Sequence, residues 1–165
     1  MPGLNGHSQA VDDRTGALVA ELVAARDDFL GALDAVDPHR LAGPGLVGEW
    51  SARELVAHLG YWSGHAVELI QAAERGATET FDEEQPDVDM INETVARVAR
   101  DTDLPTTQGR ERSAVEVLVE RLRALDPVLL DLRLPDGATV EEGLREDGAE
   151  HYLEHADDLR RAMAR

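Results

Sequence analysis

The sequence predicts an all-α fold, a four-helix bundle in which one helix is interrupted. Apolar residues recur at helical spacing nearly everywhere along the 165 residues, and no run alternates as a half-buried strand would. The apolar stripes are short and lie on otherwise charged helices, which is the pattern a bundle needs. A chain of this length suits one domain and can bury roughly 70% of its unfolded surface in a single core.

Each element follows from its own signals. Residues 1–10 contain Gly, Asn and Ser, with neither the basic start nor the apolar stretch of a signal peptide, and read as a flexible tail ahead of a single domain over 11–165. The first helix is expected from about Val11 to Val36, with Leu18, Leu22, Phe29 and Leu33 on one side. Asp37-Pro38 stops it, because Pro cannot continue a helix and restricts the residue before it. A Gly- and Pro-bearing loop covers Leu41 to Trp50. Ser51-Ala-Arg-Glu54 then reads as a capping box, opening a second helix that runs to about Arg75. Gly76 to Pro86 is an acidic connection. A third helical stretch starts near Asp87 or Asp89 and reaches Arg100, and another spans about Arg110 to Leu125. Asp126-Pro127 interrupts it, with a turn or two more over Val128 to Leu132. Leu134-Pro-Asp-Gly137 is a turn, and Thr139-Val-Glu-Glu142 is a second capping box that opens a last helix ending near Met163.

Composition narrows the chemistry. With 34 acidic against 16 basic side chains and a formal charge of −18, the chain is a poor partner for nucleic acid, whose phosphates must be neutralised by Lys and Arg. It is an equally poor partner for an anionic membrane surface. There is no Cys, which excludes a disulfide scaffold, a zinc ribbon and a cysteine nucleophile of the chain's own. Every basic residue is Arg, so Schiff-base chemistry and a P-loop lysine are excluded too. No stretch approaches the length of a membrane span, and a cytoplasmic location is expected. Carboxylates, hydroxyls, Arg and six imidazoles remain.

His7 in the tail and His39 beside Pro38 read as solvated. On the last helix His151 and His155 are four apart, neighbours at roughly 5–6 Å between Cβ atoms. Their face continues through Leu144, Gly148, Leu159 and Ala162, so the pair sits in the apolar stripe. Two neutral imidazoles buried without partners are costly, and a divalent cation turns that cost into a gain. A third ligand has to come from another helix. His58, at the margin of the second helix's apolar stripe, qualifies. His65 lies two turns on, about 10 Å along the axis, so one metal does not readily use both. His65 falls toward the polar side and reads as an exposed, ion-paired imidazole.

The segment Gly48-Glu-Trp50-Ser51-Ala-Arg-Glu-Leu-Val-Ala-His58-Leu-Gly-Tyr-Trp62, with Asn92 and the late Glu150-His151-Tyr-Leu-Glu-His155, resembles the DinB/YfiT-like superfamily. More narrowly it is similar to the mycothiol-dependent maleylpyruvate-isomerase type, over about Val11 to Met163. The resemblance implies an up-down-down-up bundle. It also implies a zinc or nickel ion held by His58, His151 and His155, and low-molecular-weight-thiol S-transferase or isomerase activity using mycothiol, bacillithiol or glutathione. Homodimers are common in the superfamily. Two departures stand out: Asp147-Gly148 one turn before His151, where a bend in the last helix is expected, and the expectation that these 165 residues do not include the separate C-terminal domain of the true isomerases.

Three His leave a metal position open, the mark of a catalytic site. The ion lowers the pKa of bound water or thiol, and a chain without Cys would borrow its thiol. The expected function is a metal-dependent thiol S-transferase or isomerase acting on a small electrophile. The alternatives are a non-catalytic small-molecule-binding or resistance-type bundle, and a structural bundle whose His are core residues. Arg53, Arg97 and Arg100 read as solvated, with thiol carboxylates as their other candidate partners. Trp50 and Trp62 read as core packing, and Glu83-Glu84 with Asp87 and Asp89 as a solvated acidic loop.

Overall fold

In a computed structural model, the backbone is described over residues 5–165 and the side chains over 14–165. The helices are α1 (Asn5–Asp34), α2 (Pro38–Leu41), α3 (Ala52–Glu74), α4 (Val88–Arg100), α5 (Leu104–Ala124), α6 (Val140–Arg145) and α7 (His151–Met163). Together they form the all-α bundle expected from the periodicity. Among the described residues the only strand-like pairings are two isolated bridges, Val47 with Trp50 and Arg133 with Thr139. Of the tail expected over residues 1–10, residues 1–4 and the side chain of His7 lie outside what is described. Helix α1 begins at Asn5, ahead of Val11 where its apolar spacing starts.

Most boundaries sit where local chemistry put them. Both capping boxes form: the Ser51 amide donates to Glu54 Oε2 at 2.6 Å, and the Glu142 amide donates to Thr139 Oγ1 at 3.1 Å. Asp87 accepts from the Asp89 amide at the start of α4. Two boundaries differ from expectation. Pro38 ends α1 and also opens the one-turn α2, since Pro is welcome at a first helical position and the Asp37 carboxylate caps the His39 amide. Helix α5 begins at Leu104, well before Arg110, because Asp103 caps the Thr106 amide at 2.8 Å and Pro105 falls in the first turn. The apolar pattern is silent over those first residues, so periodicity alone missed them.

The interruption at Asp126-Pro127 is present. Helix α5 stops at Ala124, and Pro127–Asp131 forms a 3₁₀ turn capped by Asp126. The bend expected at Asp147-Gly148 is present as well. Residues Glu146–Glu150 form a π segment between α6 and α7, with Gly148 at φ −105°, ψ −109°. Helix α3 packs against α5 and α4, and α1 against α7 and the π segment. Phe29, Leu55, Leu59, Ile70, Leu118, Tyr152 and Leu159 are fully buried between them. One polar cluster crosses this core. Arg26 pairs with Glu111 through two bonds of 2.7 and 2.8 Å, and the Tyr152 hydroxyl donates to Glu111 Oε1 at 2.5 Å, so α1, α5 and α7 are tied at one point.

Candidate metal centre

The capping box at Ser51 fixes the start of α3 and therefore the direction in which His58 projects, two turns later. The π segment does the same for α7, whose first residue is His151. The outcome is that His58, His151 and His155 offer ring nitrogens that all lie within 4.8 Å of one another. The Nε2 atoms of His58 and His151 are 2.7 Å apart. Zinc–nitrogen bonds of about 2.0–2.1 Å separate two tetrahedral ligands by about 3.3 Å, so this spread brackets what an ion needs.

The surroundings of the three rings suit metal ligands. Burial, then the proximity of His151 and His155, pushes the His58 imidazole down to about 3. Burial, with His155 nearby, pushes His151 down to about 4. Both are neutral at pH 7, with lone pairs free to coordinate. His155 Nδ1 donates to Asp158 Oδ2 at 2.9 Å, since an ionised carboxylate only accepts. That bond fixes the tautomer and leaves Nε2 as the free donor atom, the carboxylate support usual behind a ligating His. His58 Nδ1 is buried without a hydrogen-bond partner.

Aromatic rings close the site on one side. Trp50 lies 4.8 Å from the His58 ring and Trp62 6.3 Å, centroid to centroid. The Trp62 indole donates to Asn92 Oδ1 at 3.1 Å, fixing α3 to the start of α4. Both tryptophans therefore pack as expected and also wall the site. On the open side is a cavity of about 790 Å³, whose wall includes His58, His151, Trp62 and Asn92.

His65 is not where the helical angle suggested. It is 6% exposed, and its two ring nitrogens are held by Asp147 Oδ2 at 2.6 Å and Asp82 Oδ1 at 2.9 Å. The ion pairing was expected and the exposure was not, because the π segment and the loop after α3 fold over it. Burial pulls its pKa down, but Asp147 and then Asp82 outweigh this and push it up to about 9. With both nitrogens engaged as donors, His65 has no lone pair to offer a metal. Asp82 reaches it from a backbone at φ +66°, a left-handed conformation that Asp tolerates better than most residues. His39 is exposed, as expected. Of the three arginines, Arg97 is exposed, Arg53 is half-buried, and Arg100 is bound to Glu54 at 2.6 Å and to Glu93 at 3.2 Å.

Residue patterns did not single out Asp158, Asp82 or Asp147 as partners of a histidine. Asp158, three residues after His155 on one helix, was readable from spacing. Asp82 and Asp147 meet His65 only through the tertiary fold.

The family model described as the mycothiol maleylpyruvate isomerase N-terminal domain matches residues 22–160. The chain belongs to this family. The mycothiol maleylpyruvate isomerase N-terminal domain is a DinB-like domain, and the matched stretch contains all three site histidines together with His65 and Asp158. No curated protein and no solved structure matches the chain. Among the described residues, no helix is long and apolar enough to cross a membrane.

Proposed function

We propose that this chain is a divalent-metal-dependent enzyme, a low-molecular-weight-thiol S-transferase or isomerase of the mycothiol type acting on a small electrophile. The observation that carries the reading is the convergence of the His58, His151 and His155 nitrogens at the edge of a cavity of about 790 Å³. Three neutral imidazoles suit zinc or nickel, and a three-ligand set leaves a position for substrate. When bound, the ion supplies positive charge that lowers the pKa of a coordinated thiol.

The chain's own residues set up that chemistry. Burial keeps His58 and His151 unprotonated at neutral pH. Asp158 orients His155. Trp50 and Trp62 flank His58 and keep water from that side of it. With no Cys in the sequence, the thiol comes from outside, and the family's name supports one of the mycothiol type.

The test is thiol consumption by metal-loaded protein with an electrophilic acceptor, comparing mycothiol, bacillithiol and glutathione. Wild type should consume at least one thiol faster than the uncatalysed reaction, with His151→Ala falling back to the uncatalysed rate. Equal rates for wild type and His151→Ala would contradict the assignment.

A further inference from the structure

We infer that the cavity beside the three histidines receives a positively charged small molecule, an apolar body bearing an amine, amidine or guanidine group, and not a dicarboxylate. This takes the cavity to be the substrate pocket of the enzyme proposed above and names the class of its substrate.

The wall of the cavity carries its charge in one sign. Glu83, Asp136, Glu146, Glu150 and Glu154 line it, none of them in an ion pair among the described residues, and Asp82 and Asp147 line it beside His65. The chain has no Lys, and no Arg stands among the described lining residues. Among the described lining residues the one cation is His65, and both of its N–H groups are already given to Asp147 and Asp82. It has nothing left to offer an anion. These carboxylates outnumber the positive charges of His65 and a divalent ion taken together.

Glu146 stands closest to this crowding of like charge. Burial, then the neighbouring Asp147, Asp136 and Glu150, holds the Glu146 carboxyl above its ordinary range. A ligand that brings positive charge relieves this repulsion, and one that brings negative charge adds to it. Between the acidic groups the surface is apolar, formed by Trp62, Leu69, Phe81, Val88, Leu134 and Pro135. That combination fits a hydrophobic or planar body with a cationic head. A dianion such as the maleylpyruvate of the family's name meets no guanidinium or ammonium partner in this wall, although binding a carboxylate firmly calls for one.

The experiment is a calorimetric titration of the metal-loaded full chain with benzamidine, benzamide and benzoate, three probes of one shape and different charge. Benzamidine should bind at least about tenfold more tightly than benzamide, and benzoate most weakly. Salt raised from about 0.01 M to about 1 M shortens the screening length from about 30 Å to about 3 Å, and should erase most of the difference. A Glu146→Gln/Glu150→Gln variant should narrow it as well. Binding of benzoate equal to or tighter than that of benzamidine overturns the inference, as does failure of benzamidine to bind. An affinity difference that is no smaller in the double variant overturns it too.

The same titration on metal-free protein separates this from the enzyme assignment. If the charge order holds there while thiol consumption fails, only the enzyme assignment falls. If thiol is consumed and the charge order is absent, only the cationic substrate falls.

Discussion

At the scale of single residues, the site divides into groups that must be neutral and one that is held charged. The neutral ones are His58 and His151, which burial keeps unprotonated, helped by His151 and His155 beside His58 and by His155 beside His151. Behind them Asp158 orients His155. Asp158→Asn should weaken zinc affinity by about 10- to 100-fold, the usual cost of losing a carboxylate behind a ligating His. Competition with a chelating indicator measures it, and unchanged affinity would remove Asp158 from the site. The charged group is His65, raised from 6.5 to about 9 because the Asp147 and Asp82 carboxylates overcome the cost of burial. A raised folded pKa means that stability is fully present below the unfolded value and is lost as pH rises through the folded one. The His65 contribution is therefore expected in full below pH 6.5 and gone above pH 9. Urea midpoints of wild type should fall across that window, and those of His65→Asn should lack this fall. A parallel decline in both proteins would contradict the ion-pair account.

At the scale of elements, what was legible in the sequence was what depends on neighbours in the chain. The capping boxes at Ser51 and Thr139, the stop at Pro38 and the break at Pro127 are local chemistry, and each appears as read. The i, i+4 spacing of His151 and His155 is local too. What was not legible depends on the π segment Glu146–Glu150 and the loop bearing Asp82, which close over His65 from two directions. A helical wheel of α3 alone places His65 toward solvent, since no wheel contains the elements that cover it. The start of α5 was hidden for a different reason. Its opening residues carry a cap and a proline but little apolar periodicity. The same tertiary logic sets the strongest tie between elements, the Arg26–Glu111–Tyr152 cluster, in which Glu111 is 2% exposed. Glu111→Ala leaves Arg26 and the Tyr152 hydroxyl without their partner, and should cost about 3 kcal/mol. Chemical denaturation read by far-UV circular dichroism checks this, and a loss well under about 1 kcal/mol would show that the cluster contributes little.

At the scale of the whole molecule, an acidic, cysteine-free bundle belongs to a family named for a thiol-dependent isomerase. Much of the −18 charge is solvated on helix faces, where it favours solubility. Part of it gathers around the cavity, where it bears on which ligand enters. The absence of Cys, first an exclusion, is consistent with a protein whose reacting thiol arrives as a second substrate. All of this depends on whether the three converging imidazoles hold a metal. The most direct measurement is the metal content of untagged protein by inductively coupled plasma mass spectrometry, for wild type and His155→Ala. The account predicts close to one zinc or nickel per wild-type chain and a large loss in His155→Ala, with both proteins folded by circular dichroism. Wild type with far less than one metal per chain, and His155→Ala unchanged in metal and stability, would contradict it.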